Sequence, residues 1–252
     1  MDHLLQAMDL NWTQWITVIV VALIIGFSKT AISGVTMFAI PVLASVFGGK
    51  DSTGIMLPML LVGDLFAVWY YRKSAEWKKV FLPLPWALVG IILGGFVGNR
   101  ISDRAFLTLI GIIILCCLGI LVYTEVKGKN FKVPDGAWFY IPVGVLSGFA
   151  SMIGNAAGPI FVIYLLALGF AKNNFMGTNA WFFFIINLIK LPLQIFFWHN
   201  IGARSVAVTA AMLPLIALGA VVGYYILKKI NEKVFRYIVI IMTAIAAIKL
   251  FV

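Results

Sequence analysis

The sequence predicts an all-α polytopic membrane protein made of two homologous halves, each opening with a broken or fold-back segment followed by three transmembrane helices. Three observations predict it. Hydrophobic residues make up 63% of the 252 and charged residues 11%, and the mean hydropathy is +1.06, more apolar surface than a soluble core of this length can hide. The apolar residues fall into eight runs, near 15–47, 53–71, 81–99 and 106–124, then 138–171, 175–198, 206–227 and 235–252. The first run of each half is interrupted near its middle by small, polar, glycine-rich backbone, Gly26-Phe27-Ser28-Lys29-Thr30-Ala31-Ile32-Ser33-Gly34 and Gly148-Phe149-Ala150-Ser151-Met152-Ile153-Gly154-Asn155-Ala156-Ala157-Gly158-Pro159. Irregular backbone at membrane depth is tolerated only where it is buried in protein or lines a cavity, so the repeated breaks point to a substrate site near the midplane.

Residues 1–14 read as a short amphipathic lead, retained because they are acidic and lack the positive region and cleavage site of a secretory signal peptide. The first transmembrane repeat is 15–124, a hydrophilic linker containing Pro134-Asp135-Gly136 occupies 125–137, and the second repeat is 138–252. Landmarks recur in order: Gly26-Phe27 with Gly148-Phe149, Lys50 with Lys172, Gly54 with Gly177, and Asp64 with Asn187. Gly94 and Gly98 then correspond to Gly219 and Gly223, and Phe106 to Phe235. Such small-xxx-small pairs allow two helices to approach closely. Trp12, Trp15, Trp69, Trp77, Trp138 and Trp198 lie near run ends and suit interfacial belts. Cys116 and Cys117 are neighbours in one apolar run, which offers neither a disulfide framework nor a metal site.

The basic residues test the number of crossings. If both long first runs cross once, the loop lysines and arginines divide eight against eight and orient nothing. If both fold back at the break, Lys50, Arg100, Arg104 and Arg204 face one way and the other twelve face the opposite way. That bias orients the chain with both termini outside the cytoplasm and makes the second half an inverted copy of the first. A single kinked span in each half is the alternative. The net charge of +10 therefore reflects cytoplasmic loops and not a nucleic-acid partner.

Chemistry concentrates at the breaks. Lys29 supplies a positive charge where an anion would shed its water, Thr30 and Ser33 offer hydroxyls, and Gly34 permits close approach. In the second break Ser151, Asn155 and Gly158 offer neutral donors. Asn179, Asn187 and Lys190 share one face of an otherwise aromatic helix. Asp64 is the acidic residue deepest in a run, a candidate for carrying a coupling proton or for pairing with Lys29 or Lys190. The two histidines, His3 and His199, stand at edges, so neither a metal centre nor a nucleophile–base set can be assembled, and no phosphate-cradling Walker loop is present. The reading is therefore a carrier and not an enzyme, without a cofactor. A passive anion channel and a cation or metal exporter are the alternatives.

The motif Gly26-Phe27-Ser28-Lys29-Thr30, followed by Ser33-Gly34 and Pro41, then Lys50-Asp51-Ser52-Thr53-Gly54-Ile55-Met56-Leu57-Pro58 and Val62-Gly63-Asp64-Leu65-Phe66-Ala67-Val68-Trp69-Tyr70-Tyr71-Arg72, resembles the sulfite exporter TauE/SafE family of membrane permeases. Gly148-Phe149, Gly158-Pro159 and Asn179 occupy the family's repeated positions less distinctively. The resemblance implies a multi-pass protein of a bacterial inner membrane that moves sulfite or small organosulfur anions such as sulfonates. Transport would use gradients, protons among them, without ATP hydrolysis by the protein itself.

Overall fold

The computed structural model describes residues 10–32, 35–98, 100 and 136–231, and beyond these 233–235, 237–238, 240–241 and 245. Among the described residues the regular structure is helical, with no strand. The helices are α1 (Trp12–Thr30), α2 (Thr36–Phe47), α3 (Gly49–Tyr71), α4 (Trp77–Phe81), α5 (Leu84–Val97), α6 (Ala137–Gly154), α7 (Gly158–Ala167), α8 (Lys172–Phe196) and α9 (Ala203–Lys229). The run expected at 106–124 with its two cysteines, nearly all of the linker, and most of the run at 235–252 lie outside the described residues.

Six stretches are long and apolar enough to cross a bilayer: Trp12–Thr30, Asp51–Ser74, Trp77–Val97, Ala137–Gly154, Lys172–Phe196 and Ala203–Lys229. A helix of 18 residues already rises about 27 Å, close to the hydrocarbon thickness, whereas α2 and α7 are too short to span. Outward-facing Leu88, Ile92, Leu93 and Phe96 on α5, and Leu213, Leu218 and Val222 on α9, leave an apolar exterior suited to acyl chains. The protein is an all-α, multi-pass membrane protein. Trp12, Trp69 and Trp138 are exposed near helix ends, as an interfacial belt requires. Trp198 departs from that expectation: it is buried and donates its Nε1–H to the Gly95 carbonyl at 3.2 Å, closing the joint between α5 and α8.

Packing follows the glycines. A Cβ on Gly26 would strike the Ile216 carbonyl, one on Gly219 the Leu23 carbonyl, and one on Gly223 the Thr30 hydroxyl, so α1 and α9 run side by side in the same direction. The pair α6 and α5 repeats this, with Gly148 against Ala87, Gly90 against Val145, and Gly94 against Phe149 and Met152. The matching contacts equate Gly90 and Gly94 with Gly219 and Gly223, one turn earlier than the pairing read from the sequence. Gly98 instead meets the ring of Trp198. The run Gly90, Gly94, Gly98 contains two equal spacings, and only the partner helix distinguishes them.

Both first runs fold back. Phe47, at the end of α2, lies 5.7 Å from the guanidinium of Arg204, at the start of α9. Since α9 parallels α1, α2 returns to the side from which α1 sets out. Thr53 and Gly54, early in α3, meet Asn200 just before α9 on that same side. In the second half, Phe139 near the start of α6 packs on Tyr164 near the end of α7, ring centroids 5.5 Å apart. Between the hairpins α3 and α8 cross antiparallel, with Gly54 against Asn200, Asp64 against Asn187, and Gly177 against Tyr71.

Candidate functional site

The first break is held by its own hydroxyls. Ser28 donates to the Ile32 carbonyl at 3.1 Å and accepts from the Thr36 N–H at 3.1 Å and the Thr36 hydroxyl at 2.7 Å, tying the end of α1 to the start of α2. These bonds replace helical ones that the turn gives up. Lys29, one residue on, points at α3, where its Nζ lies 2.6 Å from Asp64 Oδ1. Asp64 is fully buried, and its second oxygen accepts from Asn187 Nδ2 at 2.7 Å. Lys29 also lies 4.9 Å from the centre of the Phe183 ring, a cation–π contact that shields the pair. Gly63 makes room for this, because a Cβ there would crowd Lys29 Cγ and Ile25 at 3.0 Å.

The second break is built differently. Asn155 ends α6 in the left-handed region (φ 55), which asparagine tolerates, and the Ala156 N–H returns to the Ala150 carbonyl at 3.1 Å. That turn presents Asn155 to Lys190 of α8. Lys190 is fully buried and donates to the Ser151 carbonyl at 2.9 Å, the Ser151 hydroxyl at 2.9 Å and Asn155 Oδ1 at 2.6 Å, three acceptors for the three ammonium hydrogens. Among the described residues no carboxylate lies within ion-pair distance of it. Because Lys190 only donates, it fixes the Asn155 oxygen toward itself and leaves Asn155 Nδ2 a buried donor with no acceptor among the described residues.

Between the breaks is a cavity of about 40 Å³, room for roughly three waters or one compact anion. Thr36 and Gly158, the first residues of α2 and α7, both line it, so two short helices turn their N-terminal ends toward one space. Unsatisfied N–H groups and the helix dipole make such ends attractive to negative charge. A Cβ on Gly158 would meet nothing within 4 Å, so its open side is the cavity itself.

Of the site residues read from the sequence, Lys29, Ser151, Asn155, Gly158, Asn179 and Asn187 line this cavity. Lys190 stands just behind it, holding Ser151 and Asn155. Thr30 turns away, donating to the Ala220 carbonyl at 2.7 Å and the Gly26 carbonyl at 3.2 Å, so its hydroxyl serves the joint between α1 and α9. Ser33 and Gly34 lie outside the described residues. Sequence reasoning missed Ser28, Thr36, Leu60 and Phe183, which also line the cavity. Phe183 was findable, standing four residues from both Asn179 and Asn187 and therefore on their stripe. Asp64 sits beneath Lys29 and not on the cavity wall.

The family model described as Sulfite exporter TauE/SafE matches residues 18–250, nearly the whole chain. No curated protein and no solved structure shows significant similarity to it.

Proposed function

The chain belongs to the sulfite exporter TauE/SafE family of membrane transporters, and on that premise we propose that it exports sulfite or a small organosulfur anion such as a sulfonate by alternating access at the cavity between the breaks. The observation that carries this reading is Lys190: a buried amine that donates only to neutral oxygens and so holds Asn155, whose Nδ2 has no acceptor among the described residues, in the wall of a space faced by two helix N-termini. With Lys29 balanced by Asp64, an ammonium at Lys190 gives the centre one net positive charge. A metal cation would meet that charge and two positive helix ends, which argues against the cation-exporter alternative.

The pair Lys29–Asp64 suits proton coupling. A proton on Asp64 cancels its charge and releases Lys29 to the cavity, so proton and anion favour each other's binding and travel together. A dianion accompanied by one proton still carries a net negative charge, which an inside-negative potential drives outward by about 2.3 kcal/mol per 100 mV. Antiparallel α3 and α8 and the two crossed helix pairs support an inverted repeat, with one bundle rocking about a fixed site. Arg72, Lys73, Lys78, Lys79, Lys172, Lys228 and Lys229 lie around the end where α3 and α9 finish, which supports a cytoplasmic location for that end.

Radiolabelled sulfite flux in proteoliposomes, with and without a pH gradient and competed by sulfonates, tests the proposal. Saturable, competed flux is the expected result, and flux that rises linearly with concentration would replace the carrier with a channel. Asp64→Asn should retain sulfite flux while losing its response to the pH gradient; an unchanged response would remove Asp64 from coupling.

A further inference from the structure

Gln194 lies one turn beyond Lys190 on the buried face of α8 and is fully buried, and among the described residues neither of its amide atoms has a hydrogen-bond partner. Buried amides are normally paired within the protein or by bound water, and an unpaired donor and acceptor together are costly. Residues four apart on a helix bring their Cβ atoms within about 5–6 Å, so Gln194 is Lys190's neighbour along the axis. The polar line continues past it. The Gln194 backbone carbonyl accepts the Asn200 N–H at 3.2 Å, and Asn200 Nδ2 donates to the Thr53 hydroxyl at 2.9 Å where α8 finishes and α3 begins. Asn187, Lys190 and Gln194 descend α8 from the cavity, and Asn200, just past its end, carries the line to the end of the bundle where α9 starts, among mostly apolar side chains.

We propose that Gln194 is a further ligand for the transported oxyanion, met beyond the central cavity on a route toward the Asn200–Thr53 end. This rests on the transporter reading above. The Nε2–H group donates to an anion oxygen, and Oε1 holds a water that accompanies it. No other described group satisfies either atom in the state the structure shows, so the station is filled only when anion or water occupies the route.

The test uses Gln194→Leu and Gln194→Met in the full-length protein, reconstituted and assayed with radiolabelled sulfite, alongside thermal unfolding with and without sulfite. Replacing an unpaired buried amide by an apolar group of similar size relieves a desolvation cost, so both variants should unfold at the wild-type temperature or above it. Their maximal sulfite flux should fall at least about tenfold, the loss of one hydrogen bond of roughly 1.4 kcal/mol to a charged species, while sulfite-dependent thermal stabilisation stays near wild type. A structural role would give the opposite pattern, lower unfolding temperature with flux retained per folded molecule. Wild-type flux in either folded variant overturns the inference, and so does parallel loss of flux and of sulfite stabilisation, which would put Gln194 in the central site. A folded wild type that moves and binds no sulfite or sulfonate overturns the transporter reading first, and the inference with it.

Discussion

The two breaks share a frame and differ in where the charge comes from. In the first half the cation, Lys29, is carried by the broken helix itself and is balanced by Asp64 of α3. In the second half Ser151 stands at the position of Lys29 and Asn187 at that of Asp64, so the break has hydrogen-bonding groups and no charge. Its cation, Lys190, comes from α8, at a position where the first half has Ala67, and among the described residues it is held by Ser151 and Asn155. One break is electrostatically closed and the other open. The charge is thus distributed asymmetrically within a repeated frame, with the ion pair on one side only. Asp64 and Asn187, counterparts in the repeat, also hydrogen-bond each other at 2.7 Å where the two halves cross.

The largest effect should come from attacking what the halves share. Gly148→Leu drives a side chain into the Ala87 carbonyl, a backbone obstacle that cannot rotate away, and should cost about 3 kcal/mol or more. Gly26→Leu, against Ile216, should behave alike, and both should give little folded protein by size-exclusion chromatography in detergent. Gly158→Ala, with open space beside it, should fold normally. Equal tolerance at all three positions would dissolve the correspondence of the helix pairs.

The next test separates the two cations. Lys29→Gln leaves Asp64 buried without its partner and should lower stability by about 3–5 kcal/mol, recovered in the Lys29→Gln/Asp64→Asn double variant. Lys190→Met removes a buried charge that has no carboxylate but leaves the Ser151 and Asn155 oxygens without their donor, and should lower stability by only about 1–3 kcal/mol. Its sulfite flux should nonetheless fall about tenfold to a hundredfold, as the loss of a charged partner worth roughly 1.5–3 kcal/mol implies. Matching stability losses in the two single variants would contradict the distinction between closed and open breaks. The smallest effect is expected for Thr30→Val, which breaks the bond to Ala220 at a cost of about 1 kcal/mol and leaves flux per folded molecule unchanged. A flux defect there would return Thr30 to the site.

Much of this was legible in the chain because the relevant signals are local. An apolar run long enough to span, a glycine-rich interruption within it, and the bias of loop lysines are properties of consecutive residues. They determine an all-α membrane protein with two interrupted first segments and mark Lys29, Asn155, Asn179 and Lys190 as unusual for their depth. The partner of each charge is not a local property. Lys29 and Asp64 are separated by a break and a returning helix, and Lys190 had the same sequence claim on Asp64 as Lys29 did. Only the docking of α1 on α3 and of α6 on α8 decided that Asp64 balances Lys29 and that Lys190 is left to neutral oxygens. Tertiary structure likewise moved Thr30 to a helix joint and shifted the glycine register by one turn, because a hydroxyl or a glycine spacing acquires its role from what faces it.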